Sequence, residues 1–364
     1  MYGSVVQNIN HKDDQGLTPL FSAYIGGEKQ RFERLLETEG IDVNPIDNEG
    51  LTPLHHAARD DRIKEIKLLL KHEGINVNLK DNSGATPLSL AVGNGCMSTV
   101  RLLIASERVD INCADVAGRT PLHQAIASSG GERKEMVSLL LEQSDVDANR
   151  VDRKGFTPLL LALACGIPIG ELKQLIDSKK VDINCQNPAG RTLFHELLRL
   201  PNYRYKDYKE IMTLLLQRDD VEVNTKDKEG NTPLIWEIYQ GRSSIVRLLT
   251  TSKRMDINCT DAAGRTPLHL AIATYKVNRD EIVSLLLEHQ DIDVNRPDRE
   301  GTTPLHQAVV SFTPYYDKNL SLLLEHPDID VNRTDGNGFT PLLLALKCEN
   351  RGALKLLVAS KKLT

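Results

Sequence analysis

Apolar residues in this chain come in paired short runs at helical spacing. Within residues 266–290, Leu268, Ala271 and Ile272 form one stripe; Ile282, Val283, Leu285 and Leu286 form a second. Recurrence at i, i+3 and i+4 predicts two amphipathic helices. Polar, turn-forming residues separate the stripes. Asp261 and Gly264 precede the first, and the Ile-Asp-Val-Asn run at 292–295 follows the second. Asp closes local turns with its side chain, and Gly tolerates positive φ. Thr266 is a good N-cap, and Pro267 suits the first helical position, where a missing N–H is no loss. The unit reads turn, helix, turn, helix.

The unit recurs. Its core phrase is Thr-Pro-Leu-His, and its threonines are Thr18, Thr52, Thr86, Thr120, Thr157, Thr192, Thr232, Thr266, Thr303 and Thr340. Their spacings are 34, 34, 34, 37, 35, 40, 34, 37 and 37 residues. A glycine stands two places before all ten and an asparagine eight places before all ten; Asp stands five before nine, with Asn187 the exception. Self-similarity at this period predicts a solenoid, in which each helix pair buries its stripe only against its neighbours. The prediction is an all-α solenoid of stacked helix-turn-helix units with projecting hairpin-like loops, one array over residues 1–364.

A longer period runs through it. Ile-Asn-Cys-x-x-x-Ala-Gly-Arg-Thr occurs at 111–120, 183–192 (with Pro188 inside) and 257–266, two repeats apart. The units between have charged tips, which points to duplication of a two-repeat block. At the start, the charged second helix of repeat 1, residues 28–37, suits a terminal cap. At the other end, residues 358–364 parallel residues 176–182, which lead into another repeat. The last helix keeps an apolar pattern, so the expectation is a segment of a longer array or a multidomain protein.

Composition narrows the function classes. A net charge of −5 gives no global case for nucleic acid or anionic membranes. No stretch approaches the ~20 apolar residues of a membrane span. Cys113, Cys185 and Cys259 share one repeat position, two repeats apart. With layers about 10 Å thick they lie too far apart for a disulfide, which needs Cα atoms within about 7 Å. Free thiols in a reducing compartment follow, cytoplasmic or nuclear.

Catalytic chemistry finds little support. His55, His123, His195, His269 and His306 stand three after their threonines. Histidines a layer apart cannot share a Zn²⁺ at ~2.1 Å, so the better reading is a ring bonded to the threonine hydroxyl and loop backbone. The repeated Asp and Asn are turn chemistry. No phosphate-binding glycine string occurs, and acidic residues dilute the basic residues at the tips. No enzyme, cofactor or metal is expected.

The ten phrases in register make the chain resemble the ankyrin repeat family over nearly its whole length. Three features depart from the family pattern. An extra residue usually follows the second helix. The glycine between helices is kept only at Gly27, Gly95, Gly166 and Gly241, and repeat 6 reads Thr192-Leu-Phe-His without its proline. The resemblance implies a concave face of hairpin tips and first helices that binds a protein partner, and a non-catalytic scaffold, expected to be a monomer with no nucleic-acid or membrane partner. The alternative is the regulatory or targeting region of a larger enzyme or channel.

On that implied face, the residues that vary carry the information. They are Arg119, Phe156, Arg191, Trp236, Tyr239, Arg265 and Phe339, with Trp236 the only tryptophan. Beside them stand aromatic residues of the long loops in repeats 6, 8 and 9: Tyr203, Tyr205, Tyr208, Tyr275, Phe312, Tyr315 and Tyr316. Trp, Tyr and Arg are enriched at binding hot spots. Packing against the neighbouring repeat, for Trp236, and self-packing of long loops, for the tyrosines, stay open.

Overall fold

A computed structural model of the chain describes residues 9–360 and 362, apart from 15, 198–204, 275–277 and 311–316 and the side chains of 205–208 and 317. Twenty helices and no strand are found among the described residues, making ten helix pairs. The chain divides into two compact units, Met1–Cys185 and Gln186–Thr364. Each is an all-α stack. In the first, inner helices run from Pro19–Ile25 to Pro158–Ala164 and outer helices from Lys29–Leu36 to Ile169–Asp177. In the second, inner helices run from Leu193–Leu197 to Pro341–Lys347 and outer helices from Tyr205–Gln217 to Arg351–Ala359.

The threonine sets the start of each inner helix. Thr157, Thr232 and Thr340 are extended in backbone, and their hydroxyls accept the N–H three residues on. The following proline opens the helix, as expected for the first position. In repeat 6 leucine takes the proline's place, and the inner helix is described over Leu193–Leu197. Leucine at threonine +2 is buried in repeats 1–5 and 7–9 (Leu54, Leu88 and Leu234 at 0%), as is the small residue at +5 wherever it is alanine (Ala57, Ala91 and Ala271 at 0%). A methyl at +5 brings successive inner helices close, so the stripe of one packs on the next.

Short inner-to-outer connections share one device. The residue at threonine +9 has positive φ in repeats 1, 2, 3, 5, 7 and 10: Gly27, Asp61, Gly95, Gly166, Gly241 and Glu349. The backbone conformation therefore persists where the glycine is lost, with left-handed strain at Asp61 and Glu349 (both φ 53).

Asparagine and aspartate tie each unit together. Asn44 Nδ2 donates to Gly74 O (2.8 Å), and its Oδ1 accepts from Asn76 N (2.9 Å). Asn112, Asn149, Asn258 and Asn295 repeat the link to the next repeat. The aspartate Oδ1 at threonine −5 accepts two tip N–H groups, as Asp81 does from Ser83 and Ala85 (both 2.8 Å). Neighbouring tips touch by single backbone bonds such as Val116 N to Ser83 O (3.0 Å). The tip glycine has positive φ in every repeat, and at Gly84 (φ 77) an added Cβ would also lie 2.8 Å from Val116 N.

Repeat 10 differs from the others. Leu343 (47% exposed), Leu346 (54%) and Val358 (62%) are open, whereas the matching Ile235, Ile238 and Ile176 are at 0%. No helix among the described residues is long and apolar enough to cross a membrane.

Candidate functional site

The histidine row proves to be wiring. His123 Nδ1 accepts from the Thr120 N–H (3.2 Å) and lies 2.9 Å from its hydroxyl, while Nε2 lies 3.1 Å from Phe156 O in the next repeat. His55 makes the same three contacts with Thr52 and Ala85 O, and His195, His269 and His306 follow suit. An Nδ1 that accepts and an Nε2 facing a carbonyl require the neutral tautomer protonated on Nε2. Burial pushes the pKa of all five rings below the ordinary histidine value. Both nitrogens are committed, which suits a bolt between repeats and not a ligand or base.

In two of the repeats without the histidine, a cysteine takes part of its place. Repeats 5 and 7 carry Leu160 and Ile235 at that position, and the threonine hydroxyl meets a thiol of the following hairpin instead. Thr157 Oγ1 lies 3.2 Å from Cys185 Sγ, and Thr232 Oγ1 lies 3.2 Å from Cys259 Sγ. This gives Cys185 and Cys259 a physical basis; in repeat 3, ahead of Cys113, Thr86 pairs with the Ser89 hydroxyl instead. Burial raises both thiols to a pKa of about 11, so neither is poised as a thiolate.

A second recurring link ties threonine +4 on the inner helix to the tip residue at threonine −5. Ser22 reaches Asp13 (3.3 Å), His56 reaches Asp47 (2.8 Å) and Gln124 reaches Asp115 (3.5 Å). In repeat 6 the polarity is reversed, because Asn187 Nδ2 donates to Glu196 (2.9 Å). This explains the one asparagine among ten tips. In repeat 7 the donor is Trp236, whose Nε1–H bonds Asp227 Oδ2 (2.9 Å).

Around Trp236 the second unit gathers four of the candidate residues. The Arg191 guanidinium stacks on the indole at 5.3 Å from its centroid. It also lies 3.7 Å from Asp227, whose side chain is fully buried, and 3.0 Å from Glu229. One repeat on, Arg265 grips Asp261 (2.8 Å) and donates to the Tyr239 hydroxyl (3.2 Å). Tyr239 stays 37% exposed. Phe339 is half-buried under Lys347, whose Nζ stands 4.3 Å from the ring. In the first unit, Arg119 and Phe156 are half-buried, and the Phe156 carbonyl receives the His123 ring. Tyr203, Tyr275, Phe312, Tyr315 and Tyr316 lie outside the described residues, as do the side chains of Tyr205 and Tyr208.

One residue escaped the sequence reading although its signal was present. Threonine +5 is alanine in eight repeats, Leu197 in repeat 6 and Glu237 in repeat 7. Glu237 is 0% exposed, and neither carboxylate oxygen has a hydrogen-bond partner. Burial drives its pKa up to about 8, opposed by the positive charge of Arg242. Among the described residues no group of three His, Cys, Asp or Glu side chains is arranged to hold a metal.

Family models described as ankyrin repeats (3 copies) match residues 3–81, 66–152, 88–187, 168–261, 203–298 and 253–335. A model described as ankyrin repeats (many copies) matches residues 316–358. A putative ankyrin repeat protein of Rickettsia bellii (strain RML369-C) is 27% identical over 101 residues, which is 28% of this chain and 52% of that protein. The chain thus spans about half the length of the curated relative it matches.

Proposed function

The chain belongs to the ankyrin repeat family, a protein–protein interaction module, and we propose that it is a non-catalytic scaffold that binds a protein on the tips and inner helices of its second unit. One observation carries this reading: Trp236, Arg191, Tyr239 and Arg265 form a continuous partly exposed set on successive repeats. Their internal bonds to Asp227, Glu229 and Asp261 fix the side chains before any partner arrives. Preorganised aromatic and arginine side chains lose little entropy on binding, the usual basis of a hot spot. Protein partners, a monomeric state and a cytoplasmic or nuclear setting belong to the same proposal.

The test is quantitative affinity purification from cells with wild type and a Tyr239→Ala/Arg265→Ala double variant, each first checked by far-UV circular dichroism. A partner recovered with the wild type should bind the purified double variant at least about 30-fold more weakly, the size of a 2 kcal/mol hot-spot loss. Equal affinity for every recovered partner would refute the placement.

A second reading, an array within a larger protein, draws on the open apolar face of Leu343, Leu346 and Val358. Lys362 supports it: its Nζ reaches back to His326 O (2.8 Å) and its carbonyl accepts from Asn332 Nδ2 (3.3 Å). Lys180 makes the same pair of contacts where the chain enters repeat 6. A further helix pair would cover that face. The natural reading frame tests it, and a stop codon directly after Thr364 would end the idea.

A further inference from the structure

We propose that Glu237 is a proton switch built into the seventh repeat: with its carboxyl protonated the repeat is closed, and loss of that proton loosens the packing around Pro233–Gln240. The premise is its position. Alanine fills this site in eight repeats, and the site is a dry contact between inner helices. A carboxyl there meets no donor from the protein, since both oxygens are buried and unpartnered. A neutral acid tolerates that setting far better than an anion does, because the anion forfeits its hydration without a counter-charge.

The surroundings give the anion little relief. The inner helix Pro233–Gln240 packs against Leu193–Leu197, Ser243–Thr250 and Pro267–Ala273. From the first come His195, bound to Thr192 and Asn231, and Glu196, held by Asn187. From the second comes Arg247, paired with Glu281 (2.9 Å). From the third comes His269, bound to Thr266 and Thr302. Arg242, at the N-cap of the second, is the one charge that favours the ionised form. Its backbone N–H donates to the Glu237 carbonyl (3.2 Å).

Ionisation is expected near pH 8, close enough to neutrality for modest changes to flip it. The anion can regain water only if the helix shifts. The helix ends four residues on, at Gly241 in the left-handed conformation (φ 71). Trp236 and Tyr239 ride on the same helix, so a shift at Glu237 moves both. The switch does not rest on partner binding, and it is read on the free chain.

Trp236 is the chain's only tryptophan and adjoins Glu237, so intrinsic fluorescence reports the switch locally. Emission maximum and acrylamide quenching are followed from about pH 6 to about pH 9.5 in wild type, Glu237→Gln and Glu237→Ala, a span chosen to bracket the titration. Glu237→Ala restores the residue that most repeats carry, so it is expected to fold. Wild type should show a red shift and easier quenching with one-proton steepness and a midpoint near pH 8; both variants should be flat. A flat wild-type trace, or a transition that survives either substitution, overturns the switch.

Discussion

Repeat 4 and repeat 7 share the same tip and inner-helix start and are filled differently. From threonine +3 to +7, repeat 4 reads His123, Gln124, Ala125, Ile126, Ala127; repeat 7 reads Ile235, Trp236, Glu237, Ile238, Tyr239. In repeat 4 the histidine bolts Thr120 to the next repeat, a glutamine reaches the tip, and a methyl fills the contact between helices. In repeat 7 a thiol from the next hairpin meets the threonine, an indole reaches the tip, and a carboxyl is buried where the methyl belongs. The scaffold tolerates these exchanges because positions +3 and +4 have a partner waiting in the adjoining hairpin or tip. Position +5 has none, and the carboxyl there is left unsatisfied.

The largest effect should come from moving that anomaly. Ala125→Glu places an unpartnered carboxyl in the fully buried site of repeat 4. The loss should be on the order of 3 kcal/mol or more, from burial of a polar group and overpacking together. Urea unfolding followed by circular dichroism at pH 7 measures it. A variant as stable as wild type would mean that position +5 is not a closed contact between inner helices.

The pH profiles of the two units should also separate. Buried neutral histidines have folded pKa values below the unfolded value of 6.5, so the unfolded chain takes the proton first and stability falls as pH drops through that value. Both units share this acid sensitivity, through His55 and His123 in the first and His195, His269 and His306 in the second. Glu237 acts in the opposite sense. Its pKa rises from 4.5 unfolded to about 8 folded, so its contribution is fully present below 4.5 and is lost as pH climbs through 8. The slope across that window is at most about 1.4 kcal/mol per pH unit. Unit 1 carries Ala23, Ala57, Ala91, Ala125 and Ala162 at the matching position and should lack the alkaline limb. Thermal melts of wild type and Glu237→Ala between pH 5 and about 9 test this. The gain from the substitution should grow with pH, and a gain independent of pH would contradict the assignment.

At the bolts, His123→Ala leaves the Thr120 N–H and the Phe156 carbonyl without their partner, a loss of about 2 kcal/mol. Cys259→Ala removes only a weak thiol contact and a small volume beside Thr232, about 1 kcal/mol. Equal losses in urea unfolding would show that thiol and imidazole are equivalent bolts.

Much of this was legible in the sequence because the repeat is its own alignment. Ten copies in register expose the N-cap threonine, the proline, the buried leucine and the tip glycine as rules, and each has a local cause. Relations between adjoining repeats were harder to read. That Cys185 and Cys259 serve threonines lacking a histidine needs position +3 of one repeat and the hairpin of the next read together. Likewise the Asn187 and Glu196 pair is a donor–acceptor reversal that neither residue reveals alone. Glu237 could have been found by applying the same ruler to core positions, since it breaks a column of alanines. The rarity of Trp236 is plain in the sequence; its bond to Asp227 and the stacked arginine depend on tertiary packing that no local pattern encodes.

The smallest expected effect bears on whether Trp236 serves the fold or the surface. Arg191 stacks on its ring and pairs with Asp227 and Glu229. Glu229 is largely exposed, so that ion pair adds little, and the buried Asp227 keeps three N–H donors, from Glu229, Asn231 and Trp236, when the arginine is lost. The stack itself is worth about 0.5–1 kcal/mol at a partly exposed site. Arg191→Ala should therefore lower the stability of unit 2 by no more than about 1 kcal/mol, while uncovering one face of the only tryptophan. Acrylamide should then quench Trp236 more readily with little change in the unfolding midpoint. If instead the midpoint drops steeply, the arginine, indole and aspartate hold repeats 6 and 7 together, and the ring is spent on the fold. If quenching is unchanged, another group covers the ring face, and the exposed set narrows to Tyr239 and Arg265.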